Sequence, residues 1–200
     1  MYKIIGSPKT RTFRIMWMLE ELGQPYEVDP CPPRSDAIST VNPSGKVPAL
    51  IDGGTLIIDS VAASQYLADK HGGCTFAAGT PERGVQDSFT CFALDEIDGI
   101  LWTNARHSFI LPEEKRVEAV KETCKWEFDR SMGFLAERLG DNEYVMGDTF
   151  TLPDLILGHC AGWVMNTPGW DLPSGKLGDY FQRCRSRPAF EKAWEKREQL

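Results

Sequence analysis

A chain of 200 residues can build one large domain or two small ones with an ample core. It is 42% hydrophobic and 26% charged with a formal charge of −7, and its pI of about 5.0, with no Lys/Arg run to offset it, argues against nucleic acid as a partner. No apolar run nears the roughly 18 residues of a membrane span, and the opening MYKIIG turns polar too soon for a signal peptide, so no membrane association and a cytoplasmic location are expected.

Residues 2–5 read as a first strand, broken by Gly6-Ser7-Pro8. A helix over residues 10–22 follows and ends at Gly23, a residue suited to the position after a helix. Phe13, Ile15, Met16, Trp17, Met18, Leu19 and Leu22 leave it almost no polar face, so it is expected to be buried between two layers, a sheet and a second domain. Residues 26–28 form a second strand, giving a βαβ unit. A Pro-rich loop over residues 30–34 leads to the stretch NPSGKVPAL and then to two apolar runs separated by Asp-Gly-Gly. Asp-Gly between apolar runs signals a hairpin, because glycine accepts the positive φ of a tight turn. Residues 49–51 and 56–58 are therefore antiparallel strands, and Ser60 opens a helix whose Val61, Ala62, Tyr66 and Leu67 suit packing on the sheet.

The start of that helix, at Asp59-Ser60, offers backbone N–H groups and a hydroxyl to a carboxylate. Val47 precedes a proline at a strand entrance, where its N–H and C=O suit pairing with an extended peptide and where a cis X-Pro bond is readily accommodated. Lys46 adds a positive charge beside that edge. A strand edge, an anion pocket and a cation together fit a small acidic peptide.

Residues 73–80 form a short linker of low charge, after which the pattern is helical to the end. Thr80 caps a helix with Pro81 in its first turn, and Val85, Phe89, Phe92, Ile97, Ile100 and Leu101 recur at helical spacing to about residue 107. A loop near Leu111-Pro112 leads into a helix over residues 113–139. Thr151-Leu-Pro-Asp154 has the form of a capping box, and the nearly all-apolar helix behind it is the expected centre of a second domain, with Asp154 structural rather than catalytic. The tail divides into two helices at Arg187-Pro188. Its closing charges read as a solvated face. The six cysteines are scattered with no C-x-x-C, and the three histidines lack ligand spacing, so neither a dithiol centre nor a metal site is expected.

Four stretches carry a resemblance. NPSGKVPAL with its hairpin and Asp-Ser, SPKTRTFRIMWMLEELGQPYE, and the Thr-x-x-Asp box with the closing RPAFEKAW are similar to the cytosolic glutathione transferases, the second stretch to bacterial and theta-like members. The resemblance implies an α/β plus all-α fold: a thioredoxin-like glutathione-binding domain over residues 1–72, a linker over 73–80, and an all-helical domain over 81–200 that forms a second substrate pocket. It implies that Val47 pairs with the cysteinyl backbone of glutathione, that Pro48 is cis, and that Asp59 and Ser60 hold the γ-glutamyl end, with Lys46 nearby. Many members carry Glu or Gln where this chain has Asp59. In the serine-type classes a hydroxyl sits four or five residues before an Arg of the first helix. Counting back from Arg14 selects Thr10 as the hydroxyl that stabilises the thiolate, with Ser7 second and Arg11 as electrostatic helper. Thr stands where those classes usually carry Ser. The competing reading makes Ser7 or Thr10 only a helix cap.

The activity implied is attack of the glutathione thiolate on a small, hydrophobic electrophile, as in detoxifying conjugation, with peroxide reduction, dehalogenation and isomerisation also open. Lowering a thiol pKa by two units takes about 2.7 kcal/mol of preferential thiolate stabilisation. Trp102, Arg106, His107, Phe109 and Trp163 are candidates for the electrophile's pocket wall. A homodimer is expected, with glutathione as co-substrate and no metal. The alternative is a non-catalytic glutathione-binding or regulatory protein on the same fold. A reductase using its own cysteine is disfavoured, since Cys31 is the nearest in sequence and lies in the wrong loop.

Overall fold

The computed structural model describes residues 1–200. Contacts group the chain into two units, Met1–Arg83 with Arg185–Leu200, and Gly84–Cys184. The first unit begins β1 (Tyr2–Ile5), α1 (Thr12–Glu21), β2 (Tyr26–Asp29) and a short α2 (Asp36–Ser39). It continues with β3 (Ala49–Asp52), β4 (Thr55–Ile58) and α3 (Ser60–His71). The sheet order is β2-β1-β3-β4. β1 runs parallel to β2 and antiparallel to β3, and β3 antiparallel to β4. A parallel pair needs a long crossover, which α1 supplies. The β3–β4 hairpin turns on Gly53 and Gly54, both at positive φ (54° and 95°), as a two-residue turn requires. This is the thioredoxin-like arrangement expected for the N-terminal half.

Three local expectations need correction. The first helix starts at Thr12, not Thr10, because residues 7–10 form a separate turn in which the Thr10 N–H donates to the Ser7 carbonyl at 3.1 Å. On α3 the buried face is Ser60, Ala63, Ser64, Leu67 and Ala68, whereas Val61 and Tyr66 are only half-buried and Ala62 is exposed. The helix approaches its neighbours on small residues, so the larger side chains turn outward. The short α2 was not expected, since the Pro-rich run before it dominates the local pattern.

The helix α1 is buried from Thr12 to Leu19. It packs on β1 and α3. It is also covered by α9 (Pro188–Gln199) from the far end of the chain, an element expected in the helical domain. Phe13 meets Phe190 and Trp194 edge-on at centroid distances of 5.4 and 5.8 Å, and Trp17 meets Phe190 at 4.9 Å. Glu21, nearly buried, accepts two 2.7 Å hydrogen bonds from Arg187 and one of 2.9 Å from the Trp17 indole. Lys196 pairs with Glu20 at 2.5 Å, so part of the closing charge run is engaged with α1 rather than solvated.

The second unit is helical. It contains most of α4 (Pro81–Phe92), then α5 (Gly99–Ala105), α6 (Ala119–Leu139), α7 (Leu152–Val164) and α8 (Lys176–Arg185). π-Helical turns over Ala93–Asp98 and Arg106–Ile110 flank α5. The helix expected from residue 113 begins at Ala119, after a 3₁₀ turn at Glu113–Lys115. The Thr151/Asp154 capping box forms as expected. Asp154 is fully buried and accepts hydrogen bonds from the Val145 N–H (3.0 Å), the Thr151 N–H (2.8 Å) and hydroxyl (2.9 Å), and the Tyr180 hydroxyl (2.9 Å). No helix is long and apolar enough to cross a membrane.

Candidate active site

The site residues of the first unit sit on three short segments: the turn before α1, the loop before β3, and the start of α3. The loop is wound by Asn42, which is 4% exposed. Its side-chain amide donates to the Lys46 carbonyl at 2.8 Å, and its side-chain oxygen accepts from the Ser44 N–H (3.2 Å) and hydroxyl (2.9 Å). Asn readily closes such local turns on the backbone two residues on. Gly45 (φ 64°) packs against the Arg34 backbone, and its carbonyl accepts the Arg34 N–H at 2.8 Å. The chain leaves this loop through the cis Val47-Pro48 bond. No intramolecular hydrogen bond engages the Val47 N–H or C=O, so two residues ahead of the ladder the chain presents a donor and an acceptor. Buried or half-buried backbone groups ordinarily have partners, and a bare pair at a strand entrance suits an extended peptide.

Gly6, at φ 142°, joins that edge to the turn before α1. A Cβ there would lie 2.5 Å from Thr12 Oγ1 and 2.8 Å from Val47 Cβ, so only the absence of a side chain lets the peptide edge and the hydroxyls approach so closely. Thr10 and Thr12 oxygens are 3.0 Å apart. The Thr10 hydroxyl donates to the Ser7 carbonyl at 2.7 Å, and the Thr12 N–H donates to Thr10 Oγ1 at 3.3 Å. Thr12 is fully buried and Thr10 half-buried. The residue at the formal cap position of α1 is Arg11, which makes no side-chain cap bond; the bond from the Thr12 N–H to Thr10 Oγ1 is of the capping kind, so Thr10 also ties down the start of the helix. Ser7 Oγ accepts from the Lys9 N–H at 3.4 Å, so Ser7 contributes its carbonyl rather than its hydroxyl to the Thr10 cluster.

At the start of α3, Asp59 has φ 75° and caps the helix. Its Oδ1 accepts from the Val61 N–H at 2.8 Å and the Ala62 N–H at 3.2 Å. The anion pocket anticipated there is thus narrower than free helix amides would make it, with the Ser60 N–H and hydroxyl as its donors. Ser60 is buried, and its Oγ accepts from Arg14 at 3.5 Å.

The structure thus brings Thr12 and Val47 together across Gly6, with Thr10 bonded to Thr12, Pro48 following Val47, Ser7 and Arg11 in the turn that holds Thr10, and Lys46 exposed one residue before Val47. Asp59 and Ser60 form a second group, linked to α1 through Arg14. Sequence reasoning missed the part played by Asn42, although Asn-Pro is a turn signal, and used Arg14 only as a spacing marker. Cys31 is buried with Ile5, Ile38 and Ala49, with Val47 packed against the group. Of the residues proposed for a second pocket, Trp102 and Trp163 are in edge contact at 6.5 Å, the His107 ring accepts the Val117 N–H at 3.0 Å, Arg106 donates to Thr103 at 3.0 Å, and Phe109 is exposed. No group of three or more His, Cys, Asp or Glu side chains suited to a metal ion forms.

Residues 1–75 match the family model of the glutathione S-transferase N-terminal domain, and residues 100–188 that of the glutathione S-transferase C-terminal domain. The chain is 27% identical over 169 residues to glutathione S-transferase GstA of Escherichia coli O157:H7, covering 79% of this chain and 77% of that one. Its fold superposes with a TM-score of 0.86 on a glutathione transferase from Phanerochaete chrysosporium, solved with oxidized glutathione, at 22% identity over 100% of this chain and 96% of that one. A beta-class glutathione S-transferase from Sphingomonas chungbukensis gives a TM-score of 0.85 at 26% identity, covering 99% and 100%. With both domain models matched in order across most of the chain, the protein belongs to the glutathione S-transferase family.

Proposed function

We propose that the protein is a glutathione transferase that binds glutathione along Val47, activates its thiol beside Thr10, and delivers the thiolate to a small electrophile. The observation carrying this reading is the unpaired Val47 peptide edge, held by the cis bond to Pro48 and separated from the Thr10/Thr12 hydroxyl pair only by Gly6. The cysteinyl N–H and C=O of the ligand pair with the Val47 C=O and N–H. Ser60 donates to the γ-glutamyl carboxylate, and the second oxygen of Asp59, not used in capping, accepts from the γ-glutamyl ammonium. Lys46 supplies a positive charge for the remaining carboxylate.

Chemistry begins when the Thr10 hydroxyl turns from the Ser7 carbonyl to the sulfur. Thr12 then holds the Thr10 oxygen from behind, through its N–H and hydroxyl. Hydrogen bonds to an anion are stronger than those to a neutral group, so the rotated hydroxyl favours the thiolate over the thiol. Arg11, at the end of α1 where the helix dipole is positive, adds to the same preference. The thiol proton passes to solvent. The sulfur forms a bond to the electrophilic atom, and proximity supplies much of the acceleration. Removal of electrophilic compounds, a detoxifying role, is the cellular purpose that fits. The six free cysteines fit a reducing, cytoplasmic setting. Exposed Leu56 and Ile58 on the edge strand β4, with Val85, Trp126 and Phe134, fit a homodimer, which light scattering tests.

Titrating glutathione by calorimetry and by ultraviolet absorbance of the thiolate at neutral pH tests the reading. Binding with a thiolate signal is expected. The engaged Thr10–Ser7 hydrogen bond favours a second reading, a non-catalytic glutathione-binding or regulatory protein, and binding without thiolate would select it. No binding at millimolar glutathione overturns both.

A further inference from the structure

Arg14 is 1% exposed, a buried cation on a helix that is otherwise apolar through its middle. Burying a guanidinium is costly unless it is held by hydrogen bonds. One of those holds Ser60: Arg14 Nη1 donates to Ser60 Oγ at 3.5 Å, across the packed helices α1 and α3. A guanidinium has donors and no acceptor. Toward Arg14 the Ser60 hydroxyl can therefore only accept, and its own proton must point elsewhere. The neighbouring amides of Val61 and Ala62 are already taken by Asp59. What remains at the start of α3 is a hydroxyl whose donor character is fixed from behind by a positive charge shielded from water.

We propose that Arg14 is a positioning residue for the acidic end of the ligand: it sets the Ser60 hydroxyl as a donor and attracts the γ-glutamyl carboxylate through it. The inference rests on the function proposed above and names a residue outside the set that touches the ligand. Because Arg14 lies four residues after Thr10, the turn before α1 and the first turn of the helix orient the two ends of the peptide.

The test compares the binding of glutathione with that of γ-aminobutyryl-cysteinyl-glycine, which lacks only the glutamyl α-carboxylate, by calorimetry. The wild-type protein is expected to prefer glutathione by about ten- to a hundredfold, the range for a charge-assisted hydrogen bond. Arg14→Met and Ser60→Ala are each expected to reduce that preference to within about threefold, with the double variant no worse than either single one, since the two groups act in series. Arg14→Lys, which keeps the charge, restores part of it. The thiol pKa of bound glutathione stays put in all of them, which a general loosening of the site would not allow. A folded Arg14→Met that keeps the full preference overturns the positioning role and leaves the proposed function standing. Should the Arg14 variants not fold, a folded Ser60→Ala with undiminished preference overturns it equally. If the wild-type protein binds neither peptide, the functional reading itself falls.

Discussion

Thr10→Val removes one hydroxyl while keeping the branched shape, so it isolates the hydrogen bond assigned to the thiolate. The gain from that bond is a difference. A hydroxyl donating to an anionic sulfur is worth about 1.5–3 kcal/mol, while the bond to the Ser7 carbonyl that must be given up is worth about 0.5–1.5 kcal/mol. The net preference for thiolate is then about 1.4 kcal/mol, or about one pKa unit. The thiol of bound glutathione is therefore expected to titrate about one unit higher in Thr10→Val, with turnover at neutral pH down about tenfold and glutathione affinity little changed. Thr10→Ser retains the hydroxyl and should stay close to the wild type. The assay is ultraviolet absorbance of the bound thiolate as a function of pH. An unchanged thiol pKa in a folded Thr10→Val protein would remove Thr10 from the mechanism and leave it as a turn residue.

Three further outcomes follow from the geometry. Gly6→Ala puts a methyl group within 2.5 Å of Thr12 Oγ1 and 2.8 Å of Val47 Cβ at a φ of 142°, so it should cost about 2 kcal/mol or more in unfolding free energy and weaken glutathione binding as well; wild-type stability and affinity would refute the close approach. Asp154→Ala leaves four buried donors unpaired, each costing about 1–3 kcal/mol, so a loss of at least about 4 kcal/mol is expected by urea denaturation, and a loss under about 1 kcal/mol would contradict the structural role. At the hairpin, Lys70 and the Tyr66 hydroxyl (2.6 Å) hold the half-buried Asp52 carboxyl below its usual range. A carboxyl depressed in the folded state adds stability above its unfolded pKa of about 3.9 and loses that contribution as pH falls through the lower folded value. The acid limb of the stability curve should flatten in Asp52→Asn, and superimposable acid limbs would count against the pairing.

Much of the first unit was legible because its signals are local. Asp-Gly-Gly set the hairpin, the Val-Pro step marked the strand entrance, and Gly23, at φ 63°, closed the first helix. The capping box at Thr151 was equally readable, since both partners lie within four residues. Long-range facts were not. An all-round apolar α1 announces two covering layers but not that the second is α9, about 170 residues later. Its docking depends on Arg187 meeting Glu21 and on Phe190 filling the space beside Phe13 and Trp17, pairings no spacing rule encodes. The start of α3 shows the same limit. Asp-Ser before a helix suggests an anion site, yet Asp59 spends one oxygen on its own helix, and the buried cation behind Ser60 comes from α1. For the hydroxyls, counting from Arg14 picked out Thr10, while the engagement of its proton with Ser7 and the backing by Thr12 are tertiary facts.

The central claim is that glutathione lies along Val47 with its sulfur at Thr10, and a crystal structure of the complex addresses it most directly. The account predicts paired hydrogen bonds between the cysteinyl backbone and Val47, the γ-glutamyl carboxylate on Ser60, and the sulfur within hydrogen-bonding distance of Thr10 Oγ1, its hydroxyl released from the Ser7 carbonyl. Glutathione seated away from Val47, or bound there with its sulfur turned from Thr10 and the Thr10–Ser7 bond intact, would contradict it.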